Sequence, residues 1–182
     1  MNNIDRAYEI YREHIYSPEK SILLQNHGLK VAGSVSSVMW ELFGSVLTGC
    51  MGEGVTGTDL HGWEVKSSIM GASFEYQYHL NTGLDKLRED RLVKHLYCNY
   101  SRTYEDVEVR VIDGSVLAPH YFDVWRPEYE RNYDKSVHHS QRRQRFRKSI
   151  PNGFVQQNGR LVLRISQGKL VSRDDNAIDW NN

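Results

Sequence analysis

Residues 58–68 have the sequence Thr58-Asp59-Leu60-His61-Gly62-Trp63-Glu64-Val65-Lys66-Ser67-Ser68. This pattern is typical of a tight β-hairpin with His61-Gly62 as a two-residue loop, because glycine adopts positive φ freely and histidine visits that region more often than most residues. A two-residue loop fixes the register of the two strands, so that Leu60 faces Trp63 across the pair. The stretch therefore predicts both a turn and the residues that oppose each other beside it.

The same register brings charged side chains together on one face of the hairpin. Asp59 is expected to face Glu64, and strand alternation puts Glu64 and Lys66 on one side and Val65 on the other. We therefore expect Asp59, Glu64 and Lys66 to converge. The apolar residues expected to pack on the opposite side are Leu60, Trp63 and Val65.

Two carboxylates that face each other repel, and a hard cation between them removes that repulsion. Mg²⁺ suits this role, because it binds one or two carboxylates and completes its coordination with waters and phosphate oxygens. A lysine beside the metal adds a positive charge and helps to position or deprotonate a water, which suits phosphodiester hydrolysis. The alternative is a surface hairpin with an ordinary Glu64–Lys66 ion pair.

The segments Gly57-Thr58-Asp59-Leu60 and Glu64-Val65-Lys66-Ser67-Ser68 resemble the metal-binding motif of the PD-(D/E)XK nucleases. This superfamily includes many type II restriction endonucleases and the bacterial mismatch-repair nicking endonuclease, whose short gap between acidic residues is similar to the one here. The proline that usually precedes the aspartate is absent here, with Thr58 in its place, and many members also lack this proline. The motif covers about a dozen residues, and the resembling core would extend over residues 35–111.

The resemblance implies a role for each residue of the motif. Asp59 and Glu64 would hold Mg²⁺, with the Val65 carbonyl as a further ligand, and Lys66 would orient the attacking water. In these nucleases a glutamate on the helix before the metal-binding strand often reaches the metal. Two residues compete for that role here: Glu41, which matches by position, and Glu53, in the glycine-rich loop before the hairpin. The alternative for Glu41 is a solvated helix residue.

Hydrophobic periodicity predicts the elements around this stretch. Residues 35–47 have a wide apolar helical face, with Ser34 as a plausible N-cap and Gly49 as a plausible stop. Further helices are expected at 3–16, capped by Asn3 or Asp5, and at 84–95. Strands are expected at 96–100 and 107–111. The pattern of residues 70–82 fits either a strand or a helix. This order predicts an α/β fold with a mixed central β-sheet flanked by helices, and it agrees with the nuclease core.

A length of 182 residues suggests a single domain. We expect one nuclease domain over 1–182, with its catalytic core at 34–118 and a basic segment followed by a C-terminal β-meander at 119–173. A turn is expected at Asp113-Gly114 near the end of the core, and the turns expected in the second part are Asn152-Gly153, Asn158-Gly159 and Gln167-Gly168. Residues from Asp174 onward are polar and are expected to be loosely held.

Residues 131–148 contain seven Lys or Arg and one acidic residue, whereas the whole chain has 23 basic and 23 acidic residues. This local excess favours a phosphate-binding surface, because arginine binds phosphate bidentately and reads guanine in the major groove. The residues predicted to bind double-stranded DNA are Arg142, Arg143, Gln144, Arg145, Arg147 and Lys148, with Phe146 as a possible apolar anchor. A solvated basic helix face is the alternative for this segment. Tyr76, Gln77 and His79 are further candidates for DNA contact, with half-buried packing as the favoured interpretation of the tyrosines.

Other features of the sequence exclude several classes of protein. Cys50 and Cys98 have neither metal-ligand spacing nor the number needed for a disulfide framework, so both are expected to be reduced. The sequence has no signal-peptide pattern and no apolar run of membrane-spanning length, which makes a cytoplasmic location the expectation.

The favoured hypothesis is a Mg²⁺-dependent DNA endonuclease of the PD-(D/E)XK type, in particular a type II restriction endonuclease. Cleavage of both strands of a short palindrome would need a symmetric homodimer. A DNA repair nickase or junction resolvase is an alternative within the nucleases. A non-catalytic nucleic-acid-binding protein would explain the basic segment, but it would not explain the two opposed carboxylates.

Overall fold

A computed structural model describes residues 2–53, 57–143 and 145–178. It has a mixed α/β fold, in which a five-stranded sheet is flanked by helices. The strands are β1 (Trp63–Ile69), β2 (Phe74–His79), β3 (Lys94–Tyr100), β4 (Val107–Asp113), β5 (Arg145–Ile150), β6 (Arg160–Ser166) and β7 (Lys169–Arg173). The helices are α1 (Asn3–Ile10), α2 (Pro18–Asn26), α3 (Ser37–Thr48), α4 (Gly83–Asp90), α5 (Gly114–Leu117), α6 (Phe122–Asn132) and α7 (Asn152–Asn158). The predicted fold class is confirmed.

The strand order of the central sheet is β1-β3-β4-β6-β7. β1 runs parallel to β3, and the other neighbouring strands are antiparallel. A parallel pair needs a crossover connection, and here the crossover contains β2 and α4. β2 pairs with β5 in a second sheet of two antiparallel strands.

Apolar side chains form one cluster on each face of the central sheet. Val65 and its parallel partner Leu96 point to the first cluster, which also includes residues of α1 and α3. Tyr97 points to the second cluster, which is dominated by aromatic residues of β2, α6 and β5. Alternation along β1 and β3 therefore separates two environments, and the charged residues of β1 face the aromatic one.

The N-terminal half agrees with most of the predicted elements. Residues 3–15 are helical, but Asn2 rather than Asn3 or Asp5 is the N-cap, and residues Tyr11–Ile15 form π-helical turns. α3 begins after Ser36 rather than Ser34, and it ends as predicted at Gly49, whose φ is 75°. The helix predicted at 84–95 ends at Asp90, because Lys94 already begins the buried strand β3.

The ambiguous stretch 70–82 contains strand β2. Phe74, Tyr76 and Tyr78 are buried, and the residues between them are exposed. Aromatic residues at every second position fit a strand that covers a core on one side only. Tyr76 is only 1% exposed, so its side chain packs in the core and is not a surface contact for DNA.

The turn predicted at Asp113-Gly114 is wrong, because Gly114 begins helix α5. Glycine is needed there for close packing. A Cβ atom at this position would lie 2.6 Å from the Val93 carbonyl oxygen and would also overlap the Asp90 carbonyl oxygen. The absence of a side chain lets the end of β4 approach the loop after α4.

Strands β6 and β7 extend the central sheet, and the predicted β-meander is reduced to this hairpin because β5 pairs with β2 in the second sheet. β6 and β7 are joined by the predicted turn at Gln167-Gly168, where both residues have positive φ, and β6 pairs with β4. The turn predicted at Asn152-Gly153 is wrong, since these residues begin α7. The expectation of a loose end from Asp174 is also wrong as far as the described residues extend, because Ile178 is buried in the first cluster.

Both cysteines are free, as predicted, with Cys98 buried and Cys50 half-buried. Within residues 2–53, 57–143 and 145–178, no helix combines the length and apolar character that crossing a membrane requires.

We expect Gly114→Ala to destabilise the protein by about 1–3 kcal/mol, because the added methyl group meets backbone atoms that cannot rotate away. Gly153→Ala is the control. It places a methyl group of the same size in open space within α7, where alanine is neutral or stabilises the helix by up to about 1 kcal/mol relative to glycine. Urea unfolding of both variants measures the difference, and equal stabilities would contradict the packing role of Gly114.

Candidate active site at the start of strand β1

The turn before β1 has the predicted register. Leu60 and Trp63 exchange two backbone hydrogen bonds of 3.0 Å, and Gly62 has a φ of 74°. The predicted hairpin is wrong beyond this single bridge, because the ladder partner of β1 is β3. The reason is local: the Asp59 carboxylate accepts a 2.9 Å hydrogen bond from the Val65 N–H, so a side chain stands where the backbone of a second strand would pair.

The structure brings Asp59, Glu64 and Lys66 together. Lys66 Nζ lies 2.5 Å from Glu64 Oε1, and Asp59 is close enough for its charge to act on both groups. The apolar residues expected on the opposite side, Leu60, Trp63 and Val65, are all buried in the first cluster. The predicted division of the stretch into a charged and an apolar face is therefore present.

A second lysine, which the sequence analysis missed, binds the same glutamate. Lys86 of α4 lies 2.5 Å from Glu64 Oε2 and 2.9 Å from Asp90 Oδ1. Asp90 is fully buried and also accepts a 2.8 Å hydrogen bond from the Tyr78 hydroxyl. The i,i+4 spacing of Lys86 and Asp90 predicts an ion pair on a helix, but no neighbouring residue indicates that the pair is buried.

The two carboxylates of the site differ in their electrostatics. Burial and the charge of Glu64 raise the pKa of Asp59 to about 6. Burial also opposes ionisation of Glu64, but the charges of Lys66 and Lys86 outweigh it and lower the pKa of Glu64 to about 2. The negative charge of Glu64 is thus matched by two lysines, whereas Asp59 is a partly buried carboxylate that a further cation would stabilise.

A buried network of hydrogen bonds lies on the interior side of these charged residues. His95 Nε2 donates to the Asp90 carbonyl oxygen at 2.7 Å, so His95 Nδ1 accepts from the Tyr76 hydroxyl at 2.9 Å. The Tyr76 hydroxyl is also 2.8 Å from that of Tyr97. Burial lowers the pKa of His95 to about 4, so the imidazole is neutral at pH 7 and serves to hold the strand and helix in place.

A cleft of about 600 Å³ opens above Asp59. The residues that line it are Glu41, Gly57, Thr58, Asp59, Gln77, His79, Thr82, Asp85, Lys86 and Glu89. Glu41 comes from α3, which approaches β1 closely because Gly44 has no side chain: a Cβ atom there would lie 2.9 Å from Val65 Cγ2. Of the two rival glutamates, Glu41 therefore lines the cleft with Asp59, whereas Glu53 is exposed and lies 2.8 Å from His61 Nδ1.

The predicted DNA-binding residues are separated by the structure. Arg145 and Arg147 are exposed on β5, and Arg143 is exposed just before it. Arg142 is half-buried and donates to the Val137 carbonyl oxygen, and Lys148 pairs with Glu128 at 2.5 Å. Phe146 is buried in the second cluster, so it is not an apolar anchor for DNA. Gln144 lies outside the described residues.

The donor set fits a magnesium ion that is bound together with a substrate. Among the described residues, no group of three or more His, Cys, Asp or Glu side chains is arranged as a metal site. Mg²⁺, however, needs only one or two carboxylates when waters and phosphate oxygens complete its shell. The carboxylates of Asp59 and Glu64 are two candidate ligands of this kind; Asp59 lines the cleft, whereas both oxygens of Glu64 contact lysines. The Val65 carbonyl as a third ligand stays a prediction.

We expect Lys86→Met to destabilise the protein by about 3 kcal/mol, because it leaves Asp90 buried with a charge and removes one partner of Glu64. Arg88→Met is the matched control on the same helix. Arg88 forms an exposed ion pair with Asp85, and losing such a pair costs about 1 kcal/mol or less. Urea unfolding at pH 7 measures both values, and a similar small loss in the two variants would show that Lys86 is not a structural link.

No protein-family model matches this sequence, and no curated protein is detectably similar to it. The resemblance to PD-(D/E)XK nucleases therefore stays an inference from the motif residues and their placement.

Proposed function

We propose that this chain is a Mg²⁺-dependent DNA endonuclease of the PD-(D/E)XK type that cuts a short specific duplex sequence, as type II restriction endonucleases do. The observation that supports the proposal most is the convergence of Asp59, Glu64 and Lys66 at the start of one strand, beside a cleft that Glu41 also lines. Exposed arginines on β5 provide a surface for phosphate or bases near the same cleft.

In this proposal each residue has a separate task. Asp59 and Glu64 hold the metal, and Glu41 is an outer ligand on the cleft wall. Bound Mg²⁺ would polarise a phosphoryl oxygen and lower the pKa of a water. The Lys66 ammonium group orients the attacking water from a position fixed by its 2.5 Å contact with Glu64. Lys86 keeps the other oxygen of Glu64 in place and ties it to α4.

Cleavage of both strands of a palindrome requires two copies of this site related by a two-fold axis, so we propose a homodimer as the active form. The enzyme would act in the cytoplasm of its cell, where it would meet duplex DNA.

A non-catalytic DNA-binding protein is the second candidate function. The observation that favours it is that both carboxylate oxygens of Glu64 already contact lysines, Lys66 on one side and Lys86 on the other. A carboxylate that is fully paired has less to gain from a metal ion. Metal binding and DNA cleavage therefore separate the two candidates.

Cleavage is tested by incubating supercoiled plasmid with the protein in Mg²⁺ or in EDTA. We expect cleavage only with Mg²⁺, and a loss of about 100-fold or more in Lys66→Ala, because a buried charge aimed at the reacting group is lost. Lys169→Ala removes an exposed lysine on β7 and should leave the rate unchanged. Equal cleavage by wild type and Lys66→Ala would refute the mechanism. A nicked circle as the sole product would replace the restriction enzyme with a nickase.

Metal binding is tested by Mn²⁺ titration followed by electron paramagnetic resonance. We expect Asp59→Asn to abolish binding, because one of the two carboxylate ligands is lost. Asp85→Asn is the matched control, since Asp85 lines the same cleft but has a largely exposed side chain. Failure of the wild-type protein to bind Mn²⁺ at millimolar concentration would favour the non-catalytic candidate.

A further inference from the structure

Strands β2 and β5 form a two-stranded antiparallel ribbon that is separate from the central sheet. The two faces of this ribbon differ sharply. The inward side chains are the buried residues Phe74, Tyr76, Tyr78, Phe146 and Ile150, together with Lys148. The outward side chains are Glu75, Gln77 and His79 on β2 and Arg145, Arg147 and Ser149 on β5, all of them exposed. The ribbon is therefore fixed on an aromatic core and presents one polar face to solvent.

Two of the outward residues are of types that bind base edges in the major groove of DNA. Arginine binds guanine O6 and N7 with two hydrogen bonds, and glutamine binds adenine N6 and N7 in the same way. In the ribbon these two types are direct cross-strand partners, since Gln77 faces Arg147. Glu75 is 2.5 Å from Gln77 Nε2 and 3.9 Å from Arg147. Gln77 and Arg147 thus project from the same face of the ribbon, beside the Glu75 carboxylate.

The ribbon also lies beside the candidate active site. Gln77 and His79 line the cleft that contains Asp59, and His79 faces Arg145 across the ribbon. A duplex with a phosphate at Asp59 would therefore run along the outward face of the ribbon. The major groove is about 12 Å wide and admits a two-stranded β-ribbon. The positive charge of the two arginines complements the phosphates on both sides of that groove.

We propose that the β2–β5 ribbon enters the major groove of double-stranded DNA and reads its sequence, with Arg147 on a guanine and Gln77 on an adjacent adenine. Arg145, which faces the cleft residue His79 across the ribbon, contacts a backbone phosphate. The inference rests on the proposed function in one respect, namely that the same duplex occupies the cleft. It assigns sequence recognition to two strands rather than to the basic segment as a whole.

Selection from a random duplex library, in buffer with Ca²⁺ instead of Mg²⁺, tests the assignment. We expect the wild-type protein to enrich one motif, and Arg147→Ala and Gln77→Ala each to lose about 10-fold of its preference at one base pair, a guanine and an adenine respectively. Arg6→Ala on α1, on the opposite face of the sheet, should enrich the wild-type motif unchanged. The same motif with the same preference in all variants, or no enriched motif in the wild type, would overturn the proposal.

Methylation interference with dimethyl sulfate identifies the groove. The reagent modifies guanine N7 in the major groove and adenine N3 in the minor groove. We expect interference at the guanine of the selected motif, and loss of that interference in Arg147→Ala. Interference at adenine N3 alone would place the protein in the minor groove and would overturn the proposal.

The two proposals fail in different ways. A protein that enriches a motif but leaves plasmid intact in Mg²⁺ would refute the nuclease and support the ribbon as a reader of DNA. A protein that cuts plasmid but whose ribbon variants keep the wild-type motif would support the nuclease and refute the ribbon.

Discussion

The Glu64 carboxylate, held between two ammonium groups, is the interaction on which the rest of this structure depends. Glu64 is only 2% exposed, and each of its oxygens contacts a different lysine at 2.5 Å. Burial of a single carboxylate is costly unless cations and hydrogen bonds compensate it. Lys66 provides one cation from the same strand, and Lys86 provides the other from α4. The helix is thus fixed to the strand by charge as well as by apolar contact.

This arrangement extends as a line of alternating charges through the protein. Asp59 stands at the solvent end, Glu64 lies between Lys66 and Lys86, and Asp90 closes the line in the interior. Lys66 is the cation nearest to Asp59 in this line, and Asp59 also lines the open cleft. In the proposed function a metal ion and a phosphate would enter at that end, where Asp59 lines the open cleft.

The sequence predicted the parts of this site that depend on near neighbours. The His61-Gly62 turn, the two faces of residues 60–66 and the buried alternation of β1 all follow from turn chemistry and the two-residue period of a strand. Glu41 could be placed by its position on a helix. Lys86 could not, because its partner Glu64 is twenty-two positions away and the lysine looks like any charged helix residue. The pairing of β2 with β5 was missed for the same reason.

Gly114 and Phe146 show where local rules mislead. Asp113-Gly114 has the composition of a turn, yet the glycine is required by a close approach to Asp90, which is distant in the sequence. Phe146 lies among arginines, a context that predicts a place on a basic surface, yet strand alternation directs its side chain into the aromatic core. In both cases the conformation depends on a tertiary contact with residues that are distant in the sequence, so the neighbouring residues do not predict it.

The two margins of the central sheet have different consequences for assembly. At the β1 edge the Asp59 carboxylate accepts the hydrogen bond of the Val65 N–H, so a further strand cannot pair with that group. β7 lies at the other edge, with Val171 58% exposed. A second copy that continued the sheet at β7 would hold the two Asp59 carboxylates roughly 40 Å apart, since adjacent strands are spaced by about 4.8 Å. That distance is several times the width of the major groove, so paired cuts at one place would demand contact through a different surface.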